Sequence, residues 1–220
     1  MQSLVFLEPD NIKAIPFTTS DLIAERTENN YRSVQRTIEN QMKRLETFGV
    51  MRFEITLPAK GSKGGRPKKI YQLNEPQATL IITFLKNTDI VADFKTELVR
   101  QFYLMRAELQ KRQMLRQQLK PIRRELTDII QENPDKGEWS YKLYTDLAYK
   151  FVTGKISAQL RKERNAPKKS KAIDYMTSEE IEKIAKLENQ IGVLKEMGMD
   201  YYQIKSLLLN RQMVGNVGVA

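Results

Sequence analysis

One stretch of this 220-residue chain lays out side chains in the pattern needed to read a DNA groove. Val34, Ile38, Met42 and Leu45 recur at steps of four, four and three, which places them on one helical stripe. Arg32, Ser33, Gln35, Arg36 and Lys43 fall on the opposite side. A guanidinium presents paired donors to guanine, and a carboxamide presents a donor and an acceptor to adenine, so Arg32, Gln35 and Arg36 are the candidates for base edges. Ser33 and Lys43 suit phosphate oxygens, which give register rather than sequence. A second group lies in the loop from Pro58 to Pro67 and just beyond it. Lys60, Lys63, Arg66, Lys68 and Lys69 have no acid among them, and Gly61–Lys69 reads G-S-K-G-G-R-P-K-K. This is no phosphate-cradling P-loop, because the G-K-[ST] ending is missing and no helix is expected after it. A flexible tip carrying an Arg suits a narrow minor groove, while the plainer reading is a hairpin loop kept soluble by lysines.

Other chemistry is thinly represented. The chain has no His and no Cys. That removes a Ser-His-Asp triad, thiol chemistry, disulfides and Cys or His metal sites. No Asp/Glu cluster stands at a metal or acid–base spacing, and Glu179-Glu180 suits a helix N-terminus instead. The expectation is a protein that is not an enzyme and carries no cofactor or metal. Its net charge of +10 and pI of about 9.6 point to a polyanion partner. Two further basic clusters contribute to that charge: Lys111, Arg112, Arg116, Lys120, Arg123 and Arg124, then Arg161, Lys162, Arg164, Lys168, Lys169 and Lys171. For both clusters a solvated face is the competing reading. No apolar run approaches the ~20 residues that span a bilayer, and Met1 to Leu7 lacks the pattern of a secretion signal, so a cytosolic location is expected.

A series of short elements must position these side chains. Leu4 to Leu7 reads as a strand, Pro9-Asp10-Asn11 as a turn, and Ile12 to Phe17 as a returning partner. Ser20 caps a first helix with Ile23 and Ala24 inward, and Asn29-Asn30 break the pattern because Asn tolerates left-handed backbone and caps the next helix. The second helix runs to Leu45, and Gly49 suits a C-cap. Val50, Phe53, Ile55 and Leu57 then alternate with Arg52, Glu54 and Thr56 as a strand, and Lys69 to Leu73 comes next as its partner. Strand, helix, helix, strand, basic loop, strand is the order of a winged helix-turn-helix. Asn74 opens another helix. A long one runs from Ile90 to about Leu119, with Val91, Phe94, Leu98, Phe102, Met105 and Leu109 as its apolar stripe. Arg112 and Arg116 break that seam, so its second half is expected to project as a basic stalk or a dimer contact.

Pro121 and the E-N-P-D-K-G of Glu132–Gly137 punctuate the chain, placing a boundary near 120–137. Beyond it, Tyr141 to Phe151, Ile156 to Arg164, a twenty-residue helix after Thr177 with Glu180 closing a capping box, and a last helix capped by Asp200 read as helical. The fold class expected is α+β and mostly α: an N-terminal winged helix-turn-helix over 1–110, a basic helical linker over 111–136, a helical domain over 137–210 and a tail over 211–220.

Residues 3 to 106 resemble the phage regulatory proteins of the Rha family. The resemblance is carried by L-V-F at Leu4–Phe6, T-T-S at Thr18–Ser20, I-A-E at Ile23–Glu25, then Val34 and Ile38, G-R-P at Gly65–Pro67, Tyr71, Leu73, Phe94-Lys95, Phe102 and Met105-Arg106. It implies a phage or prophage origin, a DNA-binding regulatory domain and action inside a bacterial host. Tyr31 stands where the family commonly has His; it can stack or bond a phosphate but cannot titrate near neutral pH.

These readings make double-stranded DNA the expected partner, with a homodimer supplying two recognition helices to two half-sites. The alternative is an antirepressor whose C-terminal helices, with Tyr201 and Tyr202 as anchors, grip a phage repressor. An RNA-binding role is disfavoured by the lack of an aromatic-rich RNA-binding sheet motif.

Overall fold

The structure, a computed structural model, describes residues 3–57, 67–135 and 137–217, with side chains described at all of these except 138 and 211–217. The fold is α+β and mostly α. Two compact units divide the chain: residues 3–8 and 13–108 form the first, and 9–12 with 109–217 the second.

The first unit opens on β1 (Phe17–Thr19), α1 (Ser20–Arg26) and α2 (Tyr31–Asn40). It continues through α3 (Met42–Leu45), β2 (Arg52–Thr56), β3 (Lys68–Asn74) and α4 (Glu75–Thr83) into α5 (Asp89–Glu132). The sheet is antiparallel in the order β1-β3-β2, with Thr18 opposite Leu73 and Phe53 opposite Tyr71. Ile23, Val34, Ile38, Leu45, Leu73, Ile81, Leu98 and Phe102 fill its core. Leu4–Leu7 and its expected partner shrink to one bridge between Phe6 and Phe17.

Three local expectations change here. Thr19, not Ser20, occupies the N-cap of α1, and its side chain makes no capping bond. Ser20 is buried, and its Oγ accepts the Tyr71 N–H at 3.0 Å, so the hydroxyl ties α1 to β3 instead of capping. The second helix breaks at Gln41, which leaves Leu45 buried on the separate turn of α3. All five residues of β2 are exposed, although an alternating pattern predicts a buried apolar face. Only β3 pairs with β2 among the described residues, so the strand lies at the sheet's edge.

The second unit contains the rest of α5 with α6 (Ser140–Thr153), α7 (Ser157–Glu163), α8 (Ser178–Glu196) and α9 (Tyr201–Val217). Pro121 sits inside α5 and does not end it. Burial of Leu119, Leu126 and Ile130 against α6 and α8 outweighs the ~3 kcal/mol that an interior proline costs. Residues 111–132 are therefore a core element of the second unit, neither a linker nor a projecting stalk. The backbone of the expected tail continues as helix through Val217. Thr177 and Glu180 form the expected capping box, and Asp200 caps α9 by accepting the Gln203 N–H at 2.9 Å.

Much of the second basic cluster is spent within this unit. Arg112 is buried against Asp10 at 2.6 Å, Arg116 is buried against Asp174 at 2.9 Å, and Arg123 pairs with Glu188 at 2.8 Å. From the third cluster, Arg164 grips Glu180 at 2.8 and 2.5 Å. Lys195 meets Asp135 at 2.8 Å, and Asp135 also accepts the Tyr144 hydroxyl. Burial alone would raise the Asp135 and Glu180 carboxyls. Lys195 and Tyr144 at the first, and Arg164 and the Thr177 N–H at the second, outweigh it and hold both below their ordinary values of 3.8 and 4.5. Because each group binds its proton more tightly in the unfolded chain, its stabilisation is complete above those ordinary values and drains as pH falls through the depressed ones. A chain carrying Asp135→Asn with Glu180→Gln is thus expected to be less stable at neutral pH. It should also lose less of its remaining stability between about pH 5 and pH 2, as read by urea unfolding across that range.

Candidate nucleic-acid interface

The interface is built on the turn between α1 and α2. Thr27 Oγ1 donates to the Ile23 carbonyl at 2.5 Å, and Asn29 Nδ2 donates to Thr27 Oγ1 at 2.9 Å. The left-handed residue is Glu28, at φ +53°, not either Asn. Asn29 closes the turn through its side chain and through its N–H to Ala24 O at 3.0 Å. Asn30 then caps α2, its Oδ1 accepting the Arg32 N–H at 2.9 Å. A cap of this kind contributes about 1 kcal/mol.

The fully buried Val34 and Ile38 fix the inner face of α2. Arg32, Ser33 and Arg36 stand exposed on the outer one, and Lys43 is exposed on α3. Among the described residues no side-chain hydrogen bond or ion pair engages Arg32, Arg36 or Lys43, so their donors face solvent.

Tyr31 and Gln35 behave differently. One turn apart on α2, both are half-buried and both donate to the Lys69 carbonyl of β3, Tyr31 through its hydroxyl and Gln35 through Nε2 at 3.2 Å. Burial pushes the Tyr31 hydroxyl above its ordinary value, which keeps it a neutral donor. The Lys68 ammonium lies 4.1 Å from the centre of the Tyr31 ring, and Lys69 lies 4.1 and 4.6 Å over Phe53 and Tyr71. These contacts latch α2 to the loop-proximal end of the β2–β3 hairpin. Lys60, Lys63 and Arg66, with most of the basic loop, lie outside the described residues.

Gln77 also shapes this region. It is buried, and its Nε2 donates to Leu45 O at 3.2 Å and Gly49 O at 2.9 Å while its Oε1 accepts the Asn74 N–H at 3.0 Å. Gly49, at φ +130°, leaves room for Asn74, whose Nδ2 donates to Phe48 O at 2.9 Å; a Cβ at residue 49 would stand 3.3 Å from that nitrogen. The signal for Gln77 is its spacing, three residues after the helix-capping Asn74.

Among the described residues no group of three or more Asp or Glu is placed to hold a metal ion, and no helix is long and apolar enough to cross a membrane. No curated protein is found to match the chain. Residues 18–107 match the family model for the phage regulatory protein Rha. The matched stretch includes α1, α2, the hairpin and the start of α5, and leaves Leu4–Phe6 outside. By that match the segment 18–107 belongs to the Rha family of phage regulatory proteins.

Proposed function

We propose that residues 17–74 work as a winged helix-turn-helix that binds double-stranded DNA, and that the chain is a DNA-binding phage regulator acting in the cytoplasm of a bacterial host. The observation that carries this reading is the contrast on α2. Tyr31 and Gln35 are engaged with the hairpin, while Arg32, Ser33 and Arg36 are held outward on a capped helix with a buried back. A positioned guanidinium with free donors is what base-edge recognition requires. Arg32 and Arg36 take the base contacts in this reading, and Ser33, Lys43, Lys68 and the loop cations take phosphates. Gln35 becomes a positioning residue whose carboxamide oxygen remains open.

The test is selection of bound fragments from phage and host DNA, then anisotropy titration on the selected site. Arg36→Ala is expected to cost about 1–3 kcal/mol and to relax preference at one base position. Lys43→Ala should weaken all sequences alike and lower the salt slope by about one. Unchanged affinity and selectivity in the Arg36→Ala protein would overturn the assignment.

An antirepressor role is supported by a separate observation: Trp139, Met197 and Tyr202 are exposed in the second unit. Tyr201, by contrast, packs edge-on against Tyr144 at 5.7 Å and is half-buried. If this reading holds, Tyr202→Ala abolishes repressor capture by the full chain while Arg36→Ala leaves it intact.

A further inference from the structure

The sheet ends on a strand whose exposure needs an explanation. Val50, Phe53, Ile55 and Leu57 are 85, 49, 61 and 76 % exposed, and Phe48 adds to the same stretch. An apolar edge strand offers unpaired N–H and C=O groups beside a hydrophobic surface. Proteins that stay monomeric shield such edges with charge, proline or a covering element.

We propose that β2 pairs antiparallel with β2 of a second copy of this chain, about a twofold axis that passes through Phe53. The register comes from side-chain chemistry. A twofold axis normal to the sheet must pass through a residue position, and opposite residues then share a face. An axis at Arg52 or at Glu54 would set like charges directly against each other, which is destabilising. An axis at Ile55 would set Glu54 against the partner's Thr56, leaving that carboxylate opposite no cation. Only at Phe53 do the charges complement: Arg52 meets the partner's Glu54, and Glu54 meets the partner's Arg52. On the other face Phe53 meets the partner's Phe53, and Ile55 meets the partner's Met51. Phe53 already packs edge-on against Tyr71 at 6.1 Å, so the pairing would join two aromatic rows into one. The Tyr71 hydroxyl reaches Glu39 of α2, which places α2 on that same face. The twofold axis therefore keeps both copies' α2 helices on one side of a six-stranded sheet. This inference rests on the strand alone and is tested without DNA, so it stands or falls separately from the DNA-binding reading.

The full chain, of 25.6 kDa, should show close to twice that mass by light scattering at high micromolar concentration. Arg52→Glu should return it to the single-chain mass, and Arg52→Glu combined with Glu54→Arg should restore the doubled mass. All three proteins should keep the same helical circular dichroism, since both positions are exposed. The chain has no cysteine, so Phe53→Cys places one thiol in each copy, and mild oxidation should cross-link it to its equivalent. Leu57→Cys, whose equivalents would stand eight registers apart, should remain uncross-linked. A wild-type chain of single mass, a doubled mass indifferent to Arg52→Glu, failure of the double reversal to restore it, or cross-linking no greater at position 53 than at 57 would each overturn the proposal.

Discussion

Glu188→Gln is expected to destabilise the second unit by about 3–5 kcal/mol, the cost of leaving a buried charge without its counterion. The Glu188 side chain is 2 % exposed, and its two oxygens accept from Arg123 Nε at 3.1 and 2.9 Å and from Nη2 at 2.8 Å. The same Nη2 donates to the Tyr149 hydroxyl at 3.0 Å. Burial alone would pull the Arg123 guanidinium down; Glu188, with Tyr149 behind it, outweighs that and holds it above the ordinary arginine value. The amide of the variant keeps an acceptor but not the charge. Replacing both partners, as Arg123→Met with Glu188→Leu, should recover most of the loss, because an apolar pair of similar volume needs no counterion. Urea unfolding monitored by helical circular dichroism measures the change, and amide exchange in α8 assigns it to this unit. A cost below about 1 kcal/mol for the single variant would mean that water solvates Arg123 and that the site is not dry.

That pair also marks the limit of what the chain discloses when read as a string. The inner face of α2 is legible because Val34 and Ile38 lie one turn apart and burial obeys the local period. The boxes at Thr177–Glu180 and Asp200–Gln203 are local for the same reason, although only the first is anticipated in full. The fate of the basic cluster on α5 is not legible. The acids that neutralise Arg112, Arg116 and Arg123 lie 102, 58 and 65 residues away, so a count of neighbouring charges sees cations only. Pro121 shows a local rule overridden by tertiary burial. For β2 the alternation correctly indicates a strand, but no pattern within it says whether another element covers its apolar side chains. Gln35 lies on the polar side of α2, where its type and position suggest a base contact. Its engagement with Lys69, 34 residues later, depends on how the hairpin returns. The Arg32–Arg36 pair survives as the candidate site because nothing described competes for those side chains.

Gln77→Leu is expected to cost about 2–4 kcal/mol and to loosen the end of α3 from the start of the hairpin. The carboxamide is buried between three backbone segments and satisfies two carbonyls, of Leu45 and Gly49, and one N–H, of Asn74. Leucine fills a similar volume but offers no donor or acceptor, so these groups lose their partner where water is excluded. An unsatisfied buried polar group costs ~1–3 kcal/mol, and partial relaxation keeps the total below the simple sum. Gln77→Glu separates polarity from donor geometry. It can still accept the Asn74 N–H, but it turns an oxygen toward the Leu45 and Gly49 carbonyls where a donor stood, so it should be no better than leucine. The consequence for function is specific. The Tyr31 and Gln35 contacts to Lys69 hold the hairpin near its loop, where β3 begins, while Gln77 holds its open end just before β2 begins. Loss of one anchor should raise amide exchange over residues 45–56 more than over 31–38. If residues 17–74 bind DNA as proposed, affinity should then fall more than the fraction of folded protein does, because the wing loses its fixed angle to α2. Equal exchange in both segments, or stability unchanged within ~0.5 kcal/mol, would show that the Gln77 carboxamide is dispensable and that packing alone sets the hairpin.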